Sequence, residues 1–483
     1  MEAKMKRASG VLMHISTLWG EYSIGGFGKS AFEFIDFLSE SGFSYWQILP
    51  LNPTDDFNSP YKSYSAFAGE AYFVDIEPLY EDGLISAEEL SAQKQKTPYL
   101  CEYDILKERR LPLLRLASSR VDETLKTEIK SYIEQRPRLR DFCVFMALKE
   151  ANENREWIEF STDNYSEETL FMWEFIQYNF HIQWAKVKEY ANKKGISIIG
   201  DIPIYVSHDS SDVFFDGEQF ELDAKGRSKR VAGVPPDYFN EDGQMWGNPL
   251  YDWKQMKKDS YAWWKERISY NLKLFDGIRI DHFRGFESFW SVPAEAESAK
   301  EGKWVKGGGK SFIREVSAVS DGSLVIAEDL GEITPAVTEL VRFSGFPGMR
   351  VFQFAFMGDP ESSHLPHNYA NNCVAYTGTH DNDTLLGYLM KLDDGCRRRV
   401  FDYCGYSGNN CDDGCRYVIK TMLSSHAGIV MLPIQDILGY GSDTRMNTPG
   451  SAEGNWTVRF TKEQINFIDR RYLRSLNEMY GRI

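Results

Sequence analysis

The amino-acid sequence predicts an α/β protein: a single (β/α)8 TIM barrel over residues 1–483, enlarged by long insertions between strands at its C-terminal rim and without a C-terminal β-sandwich. Three observations carry this. Eight short apolar runs, rich in β-branched and aromatic residues and bounded by Gly, Pro or Asx, recur along the chain. Those runs are nearly continuously apolar instead of alternating, the pattern of parallel strands covered on both faces. Helical patterns separate several of them, in the helix-then-strand order of a βα repeat. An open doubly wound sheet shares that order, but TLWGEYSIGGFG, the stretch after the first run, holds no G-x-G-x-x-G phosphate turn.

Taken in order, the expected strands are VLMHIS (11–16), YWQILPL (45–51), ISIIGDIPIYV (196–206) and FDGIRID (275–281). LVIAE (324–328), MRVFQFAF (349–356), CVAYTGTHD (373–381) and GIVMLPIQD (428–436) complete the set. Between the first two, Ser30 is the expected N-cap of a helix whose apolar face is Ala31, Phe34, Ile35 and Leu38, ended by Gly42. Trp264, Ile268, Leu272 and Phe275 step by four, four and three into the fourth strand. The first insertion, 52–195, reads as mainly helical, with a capping box at Ser86 and Glu89, a helix at 141–154 and an amphipathic run at 170–194. The second, 207–253, reads as an aromatic, Gly-rich loop lining the active site, since long structureless loops are uncommon unless they bind or cover something. Its Tyr238, Phe239, Trp246 and Tyr251 are candidates for surface binding. Only roughly 45 residues follow Asp436, too few for a sandwich domain.

Charge and composition exclude other classes. With 71 acidic against 55 basic residues the formal charge is −16, which repels polyphosphate and anionic lipid, so neither nucleic acid nor a membrane is an expected partner. No apolar run reaches the length of a membrane span, and MEAKMKRASG lacks the apolar stretch of a secretory signal; the expected location is cytoplasmic. Cys396, Cys404, Cys411 and Cys415 cluster, but without a C-x-x-C pair or a nearby His they read as free thiols before they read as zinc ligands. No metal and no cofactor is expected.

Three carboxylates end three different apolar runs: Asp281 after IRI, Glu328 after LVIA and Asp381 after TGTH. In a barrel those ends meet on one rim, and carboxylates are seldom buried without a partner, so the set points to function. One ionised and one protonated carboxyl group flanking a bond is the apparatus of glycoside chemistry. Arg279, two residues before Asp281, lies on the same side of its strand and favours a charged nucleophile there. Glu328 is then the expected proton donor, in surroundings that keep it protonated until substrate binds.

IRIDHFRG (278–285), AEDLG (327–331), TGTHDN (377–382) and GDIPIYV (200–206) resemble the motifs of the 4-α-glucanotransferases, the amylomaltases or disproportionating enzymes of the α-amylase clan. SPYKSYSAFAGE (59–70), GVPPDYF (233–239), GQMWGNPLY (243–251) and NTPGSAEGNW (447–456) extend the similarity along nearly the whole chain. The resemblance implies Asp281 as nucleophile, Glu328 as acid/base and Asp381 as transition-state stabiliser. It places Asp201, Arg279 and His380 around the sugar next to the cleaved bond, stacks Tyr61 on that sugar, and puts His282, Trp246 and Asn447 at neighbouring subsites. Lys62 and the pair Glu70–Ala71 depart from the family's Gln and Asn-Pro in the SPY loop.

The implied reaction moves α-1,4-glucan segments from maltooligosaccharides or amylose to the 4-hydroxyl of glucose or another glucan, by a retaining double displacement. An amylase-like hydrolase with the same carboxylates is the alternative, and a catalytically silent glucan-binding protein is a second rival, disfavoured because all three acids are present.

Overall fold

The computed structural model describes residues 5–236, 241–451 and 453–483. Twelve strands are β1 (Ala8–Leu12), β2 (Tyr45–Gln47), β3 (Ser197–Ile202), β4 (Arg230–Val234), β5 (Gln244–Pro249) and β6 (Gly277–Ile280), then β7 (Ser288–Pro293), β8 (Lys303–Lys306), β9 (Leu324–Ala327), β10 (Gly348–Val351), β11 (Cys373–Tyr376) and β12 (Ile429–Pro433). Eight of them close a parallel barrel in the order β1-β12-β11-β10-β9-β6-β3-β2. These are the eight apolar runs. β6 (GIRI), β11 (CVAY) and β12 (IVMLP) are buried at every residue, which is why their sequences do not alternate.

Each observed strand stops short of its expected C-terminal end. The run 275–281 gives a strand only to Ile280, and 373–381 gives one only to Tyr376. The first strand lies at Ala8–Leu12, not 11–16, because Ile15–Thr17 turn into a 3-10 helix that is itself buried. Apolar continuity runs past the hydrogen-bonded ladder because the first rim residues are packed too.

The helix after β1 spans Lys29–Glu40 and buries Ala31, Phe34, Ile35 and Leu38. Its N-cap is Gly28 instead of Ser30, with no side-chain cap. A Cβ on Gly28 would lie 2.7 Å from Asp75 Oδ2, so close approach of another segment, not capping chemistry, chose that residue. Between β2 and β3 come helices including Ala87–Ser91, with both halves of the Ser86/Glu89 capping box, Pro137–Ala151, and Glu167–Lys193, capped by Ser166. The last of these lays Phe175, Phe180 and Trp184 into the core.

The segment 207–253 is not the irregular loop its composition suggested. It supplies β4 and β5, which with β7 and β8 form a separate antiparallel sheet in the order β5-β4-β7-β8. Asp237, Tyr238, Phe239 and Asn240, which fall between β4 and β5 in the sequence, lie outside the described residues. After β12 the described residues form only turns and short helices, among them Arg470–Met479.

The seam between the first and last strands is closed from below by the chain's end. Arg482, fully buried, donates to the carbonyls of Ala8 (2.9 Å), Ala427 (3.2 Å), Gly428 (3.3 Å), Ser425 (3.1 Å) and Leu423 (2.6 Å). Arg7 donates to two of the same carbonyls, of Ser425 and Leu423. Among the described residues no helix is long and apolar enough to cross a membrane.

Candidate active site

The rim at the C-terminal strand ends collects the carboxylates. Asp201 on β3 and Arg279 on β6 are direct partners in the parallel register, so their side chains lie on one face, inside the barrel mouth. Gly200, between them and the helix layer, has no room for a side chain: a Cβ would meet the Phe275 ring at 2.1 Å. Arg279 donates Nη1 to both oxygens of Asp201 (2.8 and 2.7 Å) and Nη2 to Asp281 Oδ1 (2.9 Å). The fork geometry of the guanidinium makes one planar bridge between the two acids. Tyr61 donates its hydroxyl to Asp201 Oδ2 (2.7 Å), which completes the buried group.

Asp281 follows β6 directly and is 27% exposed. Its Oδ1 is held by Arg279, while Oδ2 has no protein donor among the described residues. His282, next in the chain, has φ 46° and ψ 47°, the left-handed region. From there its N–H donates to Glu328 Oε2 (2.6 Å), and Leu330 N–H donates to Oε1 (2.9 Å). Glu328 follows β9 directly and is only 8% exposed. Burial lifts its carboxyl to about 7; Arg279 opposes the rise, the Asp281 charge adds to it, and the two N–H donors pull it back. Burial also holds His282 neutral, its imidazole lowered to about 4.

Asp381 lies five residues beyond β11, in a turn fixed by Asn382 Oδ1, which accepts from Thr379 N–H and Oγ1 at 2.9 Å each. It is the most open of the three acids at 45% exposure. Asn447 Nδ2 donates to Asp381 Oδ1 (2.6 Å), His380 Nε2 lies 3.3 Å from the same oxygen, and Arg445 Nη2 donates to the Asp381 carbonyl (2.5 Å). The His380 ring stacks on Tyr61, centroids 5.0 Å apart and planes at 13°, so one face of Tyr61 is covered by protein. Trp246, on β5, meets His282 edge to face at 5.0 Å.

All ten residues expected at the site therefore form one connected cluster. Sequence reasoning missed two members. Trp456 adopts φ 63° and packs against both Tyr61 (6.0 Å) and His380 (5.9 Å); it lies in NTPGSAEGNW, where Asn447 alone was singled out. Arg445, two residues before Asn447, had no motif to mark it. His14, at the end of the first run, is buried, its Nδ1 without a hydrogen-bond partner among the described residues and its pKa held at about 3 by burial and by His380. Glu70, a departure in the SPY loop, holds that loop: Oε2 accepts from Thr54 N–H (2.8 Å) and Oγ1 (3.1 Å), and Oε1 from Tyr72 N–H (3.1 Å). Tyr251, a candidate for surface binding, is instead core, 1% exposed and donating its hydroxyl to Ile204 O.

Not every rim acid is of this kind. Asp436 is buried and accepts from Thr377 Oγ1 (2.5 Å) and Leu385 N–H (2.7 Å), a tie between neighbouring rim loops. All seven cysteines are free thiols, and among the described residues no group of His, Cys, Asp and Glu could hold a metal ion.

Comparison with known proteins agrees with this geometry. A family model described as 4-alpha-glucanotransferase matches residues 13–464. A 4-alpha-glucanotransferase of Synechocystis is 40% identical over 499 aligned residues, covering 99% of this chain and 98% of the relative. One from Streptococcus pneumoniae is 41% identical over 496, with the same coverage. The solved structure of an amylomaltase from Streptococcus agalactiae in complex with acarbose superposes with a TM-score of 0.95 at 36% identity, over 99% of this chain and 100% of the other. A closed barrel, a carboxylate cluster at its rim and likeness over the full length of both chains lead to one conclusion: the chain belongs to the 4-alpha-glucanotransferase family.

Proposed function

We propose that the chain transfers α-1,4-glucan segments by a retaining double displacement at this rim, with Asp281 as nucleophile and Glu328 as acid/base. The observation that carries the assignment is the asymmetry of the two acids. Asp281 is partly open, fixed through one oxygen by a cation, with no donor to the other oxygen among the described residues. Glu328 is buried and titrates near neutrality.

In the first half-reaction Asp281 Oδ2 attacks the anomeric carbon, the bond from that carbon to the glycosidic oxygen breaks, and the Glu328 proton goes to the departing oxygen. A β-linked glucosyl ester of Asp281 remains. In the second, the Glu328 carboxylate takes the proton of an incoming 4-hydroxyl, whose oxygen attacks the same carbon and frees Asp281. Asp381 and His380 hydrogen-bond the hydroxyls of the flattened sugar, with Asn447 and Arg445 fixing the Asp381 turn from behind. The face of Tyr61 turned away from His380 is the one that would take the C–H face of that ring. Arg279 joins Asp201, Asp281 and, through charge, Glu328, so the nucleophile and the sugar-binding acid are positioned by one group.

The partners of this site are α-1,4-glucans, such as maltooligosaccharides and amylose, with glucose as an acceptor. Incubation with maltotriose alone tests the reading. Transfer yields glucose and longer chains at a constant number of reducing ends. Rising reducing ends would mean an amylase-like hydrolase, and unchanged maltotriose would sink the enzymatic reading.

A further inference from the structure

Glu328 owes one of its two backbone donors to His282, and the conformation of His282 is unfavourable on its own. A non-glycine residue in the left-handed region costs about 1–2 kcal/mol, and among the described residues no hydrogen bond to the imidazole repays it. What touches the ring is Trp246, edge to face at 5.0 Å and 82°. The indole is itself fixed: its Nε1 donates to Gln244 Oε1 (3.1 Å), and Tyr205 packs against it at 6.2 Å, in turn stacked on Tyr251.

The topology makes this contact a closed loop. From His282 the chain passes through the 3-10 turn Phe283–Phe286 into β7. β7 pairs with β4, β4 pairs with β5, and β5 carries Trp246 back to His282. The path through β7, β4 and β5 of the outer sheet therefore starts and ends on the residue whose N–H holds the acid/base.

We propose that Trp246 is a positioning residue for Glu328: its indole clamps His282 in the left-handed conformation from which the His282 N–H reaches Glu328 Oε2. This rests on the reading of Glu328 as acid/base. It assigns the outer sheet a part in the proton transfer in addition to any contact Trp246 makes with glucan.

The charged and titratable groups facing this pair are Arg279 on β6, Asp281 between β6 and His282, and Arg284 in the turn beyond. None of them is altered by substitution of Trp246. An N–H donor to a carboxylate favours its ionised form, so releasing His282 favours the protonated acid and moves the descending, alkaline limb of kcat/KM to higher pH. Loss of one such bond corresponds to about one pH unit, a tenfold change in the ratio of ionised to protonated Glu328.

The experiment compares pH profiles of maltotriose transfer for the parent, Trp246→Ala, Trp246→Phe and Glu328→Gln, with a crystal structure of Trp246→Ala. The expected result is an alkaline limb in the parent that moves up in Trp246→Ala and returns in Trp246→Phe, which keeps an aromatic edge against His282. The Trp246→Ala structure should show His282 out of the left-handed region and its N–H away from Glu328. If the alanine variant is slower with its limb unmoved, or His282 keeps its conformation, the inference is overturned while the acid/base reading stands. If the parent has no alkaline limb that Glu328→Gln abolishes, the acid/base reading has failed and takes the inference with it. Should Trp246→Ala fail to fold, the phenylalanine variant and Trp246→Leu carry the same comparison.

Discussion

Replacing Glu328 by Gln separates the chemical and the structural cost of a buried acid. The carboxyl is 8% exposed and lifted from 4.5 to about 7, chiefly by burial. That rise corresponds to ~3 kcal/mol. Because the folded-state value is raised, the stabilisation is fully present below pH 4.5 and is lost as pH rises through 7. Glutamine does not titrate, so the variant escapes this loss. It has only one acceptor oxygen, however, and either His282 or Leu330 N–H is left facing an NH2, at ~1–3 kcal/mol. The variant should therefore be less stable than the parent by that amount near pH 4.5, and equal or slightly more stable at pH 8. Urea unfolding of both proteins at the two pH values measures this, and titrating groups remote from Glu328 cancel in the difference. The same variant should lose transfer from maltotriose by ~10²–10⁴-fold, the usual contribution of a general acid. A stability difference that is the same at both pH values would refute the titration of Glu328 near neutrality. Near-parental transfer would remove it from the proton-transfer step.

Two further outcomes follow from the bridge around Arg279. Asp281→Asn keeps the shape and an oxygen for Arg279 Nη2 but removes the nucleophile; transfer should fall by ~10³-fold or more with an unchanged far-ultraviolet circular dichroism spectrum, and retained activity would overturn the assignment. Asp201→Asn leaves the buried Arg279 without its bidentate anion, and breaking a buried pair costs about 3–5 kcal/mol; a urea-denaturation loss below ~1 kcal/mol would show that the pair behaves like an exposed one.

The barrel was legible because eight runs without alternation admit few arrangements, and burial of both faces writes that pattern directly into β6, β11 and β12. Strand ends were not legible: Asp281 and Asp381 continue their apolar runs in sequence but stand beyond the ladder, on turns that side chains such as Asn382 shape. The carboxylates and Arg279 could be read from position and period. The outer sheet could not, since β4 and β5 are each interrupted by a glycine and partly exposed, and the pairing of β4 with β7 is decided by tertiary contact. Trp456 was hidden for a similar reason: only its left-handed backbone turns the ring toward Tyr61 and His380. Ser30 misled because a good capping residue lies two positions inside the helix that Gly28 starts.

The buried guanidinium at the barrel seam has a consequence for the order of events during synthesis. β1 leaves the ribosome before the other barrel strands and pairs with β2 and β12, whereas Arg482, which gathers the carbonyls of Ala8, Ala427 and Gly428, emerges after β12. A parallel barrel has no stable half-closed form in which β1 is paired on both sides, so the first strand waits with one edge unpaired until β12 has been made. Closure thus follows the synthesis of β12, and the interval before it is when an exposed strand edge is open to pairing with another nascent chain.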